Sequence, residues 1–470
     1  MLSFLRARAA SSPPPSPLRE WSWSGQTLSL QFDASLAGAT IALDLDGTFF
    51  ATTHADALRR ARFAFAFSPS RSASASVMPR RDRGGEALAA QPLAIRFDDT
   101  HADRVALDVD CTAVEVAIVV PIYNAPALVE RCIESVLRQT TGRARLILID
   151  DASTDSAIAP LLARYAARAG VTVLRNESNR GFTATANRGI AEAGRADVVL
   201  LNADAQVGPH WLTGLRRAAA CAADVATATA VSDNAGAFSV PELERENAWP
   251  SGWTFEQAAR ALWQNAGTAY PELPTGNGFC LYIRRKVVDE IGALDEAAFP
   301  HGYGEENDFC QRASSRGYRH LIAGNVYVRH ERSASFGHER RAKLGEAGMA
   351  VLRERWPQYE RDVGATLFSF ERRVLDWRVR QSFASASPPE MRVLTVPGPQ
   401  SVPRDEPALV RWLQTHAFDA IVALGDPPAA LPRVASRVGV PFAVATPDED
   451  VMRCAESAIA AARTFGDPAR

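Results

Sequence analysis

The sequence is poor in the features that would classify it by composition alone. Its 470 residues include only six cysteines, Cys111, Cys132, Cys221, Cys280, Cys310 and Cys454. None form a C-x-x-C pair or a metal-type spacing, which argues against a disulfide-stapled scaffold and a structural zinc site. They read as thiols of a reducing compartment. No stretch approaches the roughly 18 apolar residues of a membrane span. The opening MLSFLRARAASSPPPSP turns to Arg, Ser and Pro before the apolar core of a signal peptide can form. A formal net charge of −2 supplies no general attraction to nucleic acid or to an anionic membrane. These absences lead to the expectation of a cytoplasmic protein with no nucleic-acid partner, and leave peripheral association with the inner membrane face open.

What is present is ordinary globular material, 47% hydrophobic and 23% charged, in a chain long enough for two or three domains. Residues 1–19 read as a disordered Ser/Pro-rich tail, and SPSRSASASVMPRRDRGG within 68–90 as a second mobile stretch. Between them, alternating apolar and polar residues with Gly-containing turns suggest short antiparallel strands, giving a small β-rich domain over 20–113. From Val116 the texture changes to apolar runs alternating with amphipathic segments: VAIVVPI, PALVERCIESVLRQT, ARLILIDD, VTVLRN. Val129, Cys132, Ile133, Val136 and Leu137 recur at i, i+3, i+4, i+7 and i+8, one stripe of a helix lying on a sheet. Repeated strand–helix–strand units predict an α/β fold with a mostly parallel sheet over 114–340. A helical extension and linker follow over 341–389, and a small α/β tail over 390–470.

In an open parallel sheet ligands bind beyond the carboxyl ends of the strands, so the residues after each apolar run are the informative ones. They are polar here: Pro121-Ile122-Tyr123-Asn124, then Asp150-Asp151 through Asp155, then Asn179-Arg180-Gly181, then Asn202-Ala203-Asp204. The ordered series VVPIYN, IDDASTD, SNRGFTATANRGI, LLNADAQV, TGNGFCLYIRR, GALDE, YGEENDFCQRA and VRHERSASF resembles glycosyltransferase family 2, in the rhamnosyltransferase-like part of that family. The resemblance implies the GT-A fold and an inverting, metal-dependent hexosyltransferase.

Carried over position by position, the resemblance gives Pro121, Tyr123 and Asn124 to the loop around the nucleoside. Asp151 takes the place of the carboxylate that accepts the N3–H of uracil or thymine, while Ser153 and Asp155 suit a helix cap. Asn179, Arg180 and Gly181 follow strand three, Arg180 near the diphosphate. The family's usual Asp-x-Asp is Asn202-Ala203-Asp204 here. Asp204 keeps the role on Mn2+ or Mg2+, Asn202 supplies a neutral oxygen or touches the ribose, and His330 completes the metal or diphosphate shell. Gly276, Asn277 and Gly278 fall on the acceptor side. Glu306 stands where the catalytic aspartate usually is and is read as the general base, with Glu305 in reserve. Asp308 is placed with the acceptor side, its spacing to Arg312 also suiting a helical ion pair. The partners implied are a UDP- or dTDP-sugar, whose bases share the edge read by Asp151, and a saccharide or lipid-linked saccharide acceptor in surface polysaccharide assembly.

Two rival classes stay in view. IALDLDGT matches the signature of haloacid-dehalogenase-type phosphatases, which would make Asp44 and Asp46 catalytic; an Asp-Gly hairpin explains the same letters. A non-catalytic glycan-binding homologue would keep the fold without the chemistry. The segment around Asp44 resembles small β-sandwich modules attached to bacterial glycosyltransferases.

Overall fold

The computed structural model describes residues 16–24, 27–64, 75–95, 103–300, 302–331, 338–367, 369–446 and 448–466. The chain forms two compact units that divide between His101 and Ala102.

In the first unit the strands are β1 (Leu18–Ser24), β2 (Thr27–Phe32), β3 (Thr40–Leu45), β4 (Thr48–His54), β5 (Arg60–Ala64), β6 (Ala75–Arg81) and β7 (Leu93–Ile95). They make two antiparallel sheets, ordered β1-β2-β5 and β4-β3-β6-β7. Leu28, Leu30 and Phe63 of one and Ile41, Leu43 and Val77 of the other are buried, the alternation expected of half-buried strands. Two expectations change. Leu18 and Arg19 of the supposed tail are strand residues, the rest of the tail to 15 lying outside the described residues. Likewise, Ala75–Arg81 of the supposedly mobile stretch pairs along β3. Its Ser and Arg content masked an alternation that buries Val77 and Pro79. The phosphatase-like string is a two-residue hairpin: Asp46 and Gly47 both have positive φ, 47° and 80°, as a type I′ turn requires. Asp44 is held by Arg80 at 2.5 Å, and Asp46 accepts from the Ser76 amide at 2.9 Å.

The second unit is built on a mixed sheet of β8 (Val116–Ile122), β9 (Ala144–Asp150), β10 (Val171–Arg175), β11 (Asp197–Leu201), β12 (Ala205–Val207), β13 (Val225–Ser232), β14 (Cys280–Ile283) and β15 (Arg319–His330). Its order is β10-β9-β8-β11-β14-β13-β15-β12. Strands β10, β9, β8 and β11 run parallel, as do β13 and β15, while β14 runs against both neighbours and β12 against β15. The α/β reading holds, with those antiparallel strands added. Helices cover both faces. Ile118 and Val120 of β8 pack with the stripe of α1 (Pro126–Gln139) and with α2 (Ile158–Ala166). Ala117 and Val119 pack with α3 (Phe182–Glu192). Because strand order reverses on either side of β8, the crevice of this sheet opens where β8, β9 and β11 end.

The helices that follow are α4 (Trp211–Ala220), α5 (Phe255–Asn265), α6 (Arg285–Ile291), α7 (Glu305–Ser314), α8 (His338–Arg355), α9 (Tyr359–Leu367) and α10 (Phe370–Phe383). The supposed linker beginning at Gln381 is still helix there, with Ser382 buried. Residues 390–466 contribute a parallel sheet of β16 (Val393–Val396), β17 (Ala420–Ala423) and β18 (Phe442–Val444). This segment belongs to the second unit, as do residues 103–113, contrary to the expectation of a β-rich domain running to 113. Gln414 exchanges hydrogen bonds with both backbone groups of Ala106 at 3.2 and 2.8 Å, and the Cys111 amide donates to Arg437.

Asp419, fully buried at the start of β17, anchors that attachment. It accepts from His210 Nε2 at 3.0 Å, Arg260 Nε at 3.1 Å, Gln264 Nε2 at 2.9 Å and the Arg392 amide at 2.8 Å. Burial alone would push its carboxyl up, but the His210 hydrogen bond and the charges of His210 and Arg260 outweigh that and hold it at about 2, below its ordinary 3.8. A carboxyl depressed in the fold stabilises it above the unfolded value, so this contribution, roughly 2 kcal/mol, is present above about pH 4 and disappears as pH falls through about 2. Asp419→Ala leaves buried donors unpaired and is expected to cost about 3–5 kcal/mol in denaturant unfolding of the full chain. A loss below about 1 kcal/mol would contradict this role.

Candidate functional site

The three strand ends meet as the topology requires, and side chains fasten them together. Asp150 and Asp151 close β9, both buried. Asp150 turns inward to the Ser153 amide at 2.8 Å and to Arg175 of β10. The Asp151 carboxylate gathers the loop after β10: Oδ1 accepts from Asn176 Nδ2 at 2.6 Å and the Arg180 amide at 2.8 Å, and Oδ2 from the Gly181 amide at 2.9 Å. Asn179 Nδ2 reaches the Asp151 carbonyl at 3.3 Å. A carboxylate offers about four acceptor positions, so one on Oδ2 stays available to an incoming N–H. Asn124, at φ 60° after β8, accepts from the Thr154 and Asp155 amides, both at 2.9 Å, and its own amide donates to Ser153 Oγ at 2.8 Å. Ser153 therefore ties two loops instead of capping α2, whose N-cap is Ala157 without a side-chain bond. Pro121 lies within β8 opposite Ile149, with Tyr123 half-buried just beyond. The Arg180 guanidinium is half exposed and 3.7 Å from Glu296.

At the end of β11, the Asn202 amide donates to Phe279 O at 2.9 Å, joining this loop to the TGNGF segment. Asp204 Oδ1 stands 3.3 Å from His330 Nε2, and Asn202 Nδ2 is also 3.3 Å from that nitrogen. His330 stacks on Phe279 and has Nδ1 3.0 Å from the Asn234 carbonyl. A carbonyl can only accept, so Nδ1 carries a proton; in the tautomer without a second one, the Nε2 lone pair faces the Asn202 amide, which can donate to it, and the Asp204 carboxylate. A cation between Nε2 and that carboxylate satisfies both. Two ligands at right angles on a metal with bonds of roughly 2.1 Å stand roughly 3 Å apart, close to the spacing seen. No group of three or more His, Cys, Asp or Glu among the described residues could hold a metal. A cation at Asp204 and His330 would take the rest of its shell from neutral oxygens such as the Asn202 amide, phosphate or water.

The acidic segment opens α7. Gly304, at φ 141°, begins it, because a side chain there would meet Phe299 at 2.6 Å. Glu305 is buried and takes the Gly304 amide on Oε2 at 3.0 Å. Glu306 Oε2 is buried with no hydrogen-bond partner. Burial pushes both carboxyls above the ordinary 4.5; in Glu305 the neighbouring Glu306 charge adds to it and the rise is the larger, while in Glu306 hydrogen bonds from backbone and from Glu305 work against it. Phe182, at the start of α3, links this acidic corner to the loop after β10: its ring faces Gly278 and its Cβ faces Gly302, the glycine beside the Glu305 carboxyl.

Some expected assignments shift. Gly276 is an interior support, since a Cβ there would lie 2.6 Å from Leu281, and of TGNG the half-buried member is Asn277. Asp308 keeps the Arg312 ion pair at 2.9 Å but is buried, with Arg355 and Trp356 on its other oxygen. It lacks the exposure an acceptor contact needs. Asn176, directly after β10, was legible by the strand-end rule that found Asp151; Phe279, Asn234, Arg355 and Trp356 carry no such local signal. Residues 332–337 of the VRHERSASF string lie outside the described residues.

Residues 117–292 match the family model described as Glycosyl transferase family 2. The chain is 33% identical over 96 residues to an uncharacterized glycosyltransferase of Escherichia coli, covering 20% of this chain and 27% of that protein. It is 26% identical over 244 residues to the N-acetylglucosaminyl-diphospho-decaprenol L-rhamnosyltransferase of Mycobacterium tuberculosis, covering 46% of this chain and 76% of that one. A mannosyltransferase of Pyrobaculum calidifontis, solved with GDP-Man and Mn2+, superposes with a TM-score of 0.40 at 18% identity over 58% of this chain and 75% of its own.

If Asp204 and His330 receive a cation together with diphosphate oxygens, UDP or dTDP should raise the melting temperature only when Mn2+ or Mg2+ is present, and Asp204→Ala should abolish the metal-dependent part. Equal shifts in EDTA and in Mn2+ would contradict the assignment.

Proposed function

With residues 117–292 being a glycosyl transferase family 2 domain, we propose that the chain transfers a sugar from a UDP- or dTDP-sugar to a saccharide hydroxyl with inversion of configuration. The observation that carries this reading is an adjacent carboxyl pair, buried Glu305 and half-buried Glu306 with its Oε2 enclosed, joined through Phe182 to the strand-end loops of Asp151 and Gly181. One edge of the sheet thus offers donors and acceptors suited to a nucleotide, and the neighbouring corner offers a base.

The roles follow from what each group can do. The available position on Asp151 Oδ2 accepts the N3–H of uracil or thymine, an edge that cytosine and adenine lack. Asn124 and Asn179 hold the loops around the nucleoside. Asp204 and His330 would hold a divalent cation, which would supply positive charge to the diphosphate as it leaves. Glu306 takes the proton of the attacking hydroxyl. Its unpartnered Oε2 has no competing donor, and burial beside Glu305 raises its basicity above that of an ordinary glutamate. Likeness to a rhamnosyltransferase named for a diphospholipid-linked N-acetylglucosamine supports a lipid-linked saccharide as acceptor, with a role in surface polysaccharide assembly. Among the described residues no helix is long and apolar enough to cross a membrane, so such an acceptor would be met at the membrane surface.

Glu306→Gln is expected to bind nucleotide normally yet lose about 10²–10⁴-fold in kcat, with Glu305→Gln losing less. The acidic limb of the wild-type kcat profile should lie above the usual glutamate range, because the base must be ionised to act. Transfer by Glu306→Gln at the wild-type rate would move the base elsewhere. Nucleotide binding without transfer in the wild type, across a panel of UDP- and dTDP-sugars with lipid-linked N-acetylglucosaminyl diphosphate, would favour a glycan-binding homologue.

A further inference from the structure

Helix α7 carries Glu305 and Glu306 in its first turn, and it starts on Gly304 with no side-chain cap. With three acidic residues and, at its start, the tie of the Gly304 amide to Glu305 Oε2, the first turn takes the rest of its position from contacts further along α7 and outside it. Those contacts converge on Asp308, whose side chain is 1% exposed. Oδ2 accepts from Arg312 Nε at 2.9 Å; Oδ1 accepts from Trp356 Nε1 at 3.0 Å and Arg355 Nη1 at 3.2 Å. Each partner brings another segment. Arg312 also donates to the carbonyls of Ile291 and Ala293, both at 2.7 Å, and Arg355 to Asp295 at 2.9 Å, so the GALDE loop is fixed to the same point. Helix α8, which ends at Arg355, presses on the loop that leads into α7. At Gly348 a Cβ would fall 1.7 Å from the Tyr303 carbonyl, leaving room only for glycine, and Leu352 packs beside Gly304 and Phe299.

We propose that Asp308, gripped by Arg355 and Trp356, is a positioning residue for Glu306: the grip of α8 sets where the first turn of α7 presents the base. The proposal rests on Glu306 being the base. A buried carboxylate with three donors, one from α7, one from the last residue of α8 and one from the residue after it, has little freedom, and α7 is too short for its first turn to move independently of Asp308. Misplacement of a reacting group by about 1 Å costs on the order of 10²-fold in rate. The Trp356 ring also packs against the cluster of Phe299, Leu352 and Tyr359, so Trp356→Phe keeps an aromatic ring there and removes only the donor to Asp308.

The test is a double-mutant cycle on the full chain, with Trp356→Phe, Glu306→Gln and both together. Turnover is read as release of nucleoside diphosphate from dTDP-L-rhamnose and from UDP-N-acetylglucosamine, with lipid-linked N-acetylglucosaminyl diphosphate or water as acceptor. Trp356→Phe should lower kcat about tenfold or more while donor KM changes less than about twofold. In the Glu306→Gln background the same substitution should cost less than about twofold, because no base remains to be placed. Equal losses in both backgrounds would mark a general structural effect and overturn the proposal, as would a wild-type kcat in Trp356→Phe. Full activity of Glu306→Gln alone would overturn the base assignment, and this proposal with it. Independently of turnover, amide hydrogen exchange at 305–308 should rise in Trp356→Phe with the rest of the chain unchanged; no local rise would overturn the grip itself.

Discussion

Asp151 closes β9 beside the point where strand order reverses, and its carboxylate draws in three donors from the loop that follows β10. That arrangement fixes Gly181 and so the start of α3, and with α3 the position of Phe182 against Gly278 and Gly302. One buried carboxylate at the end of β9 thereby sets the spacing to the acidic corner at the start of α7. Burying a charge without partners is costly. Three hydrogen bonds make the position tenable, and the acceptor capacity left over is the part that a ligand can use.

The same logic recurs at Asp419 and Asp308. Each is a buried carboxylate satisfied by donors from segments far apart in sequence. Asp419 joins the 390–466 segment to α5 and to the residue before α4. Asp308 joins α7 to α8 and to the loop before Phe299. Apolar packing fills the two faces of the large sheet, but these ion pairs set how the peripheral elements are oriented on it. A buried carboxylate demands particular partners, whereas apolar surface accepts many.

Much of this was legible in the sequence, because the ligand edge of a parallel sheet is written locally. An apolar run ends and the next few residues line the crevice, and Asn124, Asp151, Gly181, Asn202 and Asp204 all stand at such ends. The apolar stripe of α1 and the Asp46-Gly47 hairpin were equally local. What escaped notice depends on long-range contact. Nothing near Asp308 announces Arg355 and Trp356, and nothing near residues 103–113 announces that Ala106 and Cys111 pack with Gln414 and Arg437 instead of with the β-rich unit. Composition also misled: the Ser/Arg-rich approach to β6 resembles a solvated stretch, although its alternation buries Val77 against β3.

On the proposed function, Asp204 and His330 meet to hold the cation of a nucleotide diphosphate at the carboxyl edge of β11. Crystals grown with Mn2+ and UDP or dTDP, measured for manganese anomalous scattering, test it directly. One strong peak is expected at bonding distance, roughly 2.0–2.3 Å, from both Asp204 Oδ1 and His330 Nε2, with diphosphate oxygens in the shell. Nucleotide bound in the crevice with manganese elsewhere, or with no manganese at all, would contradict it.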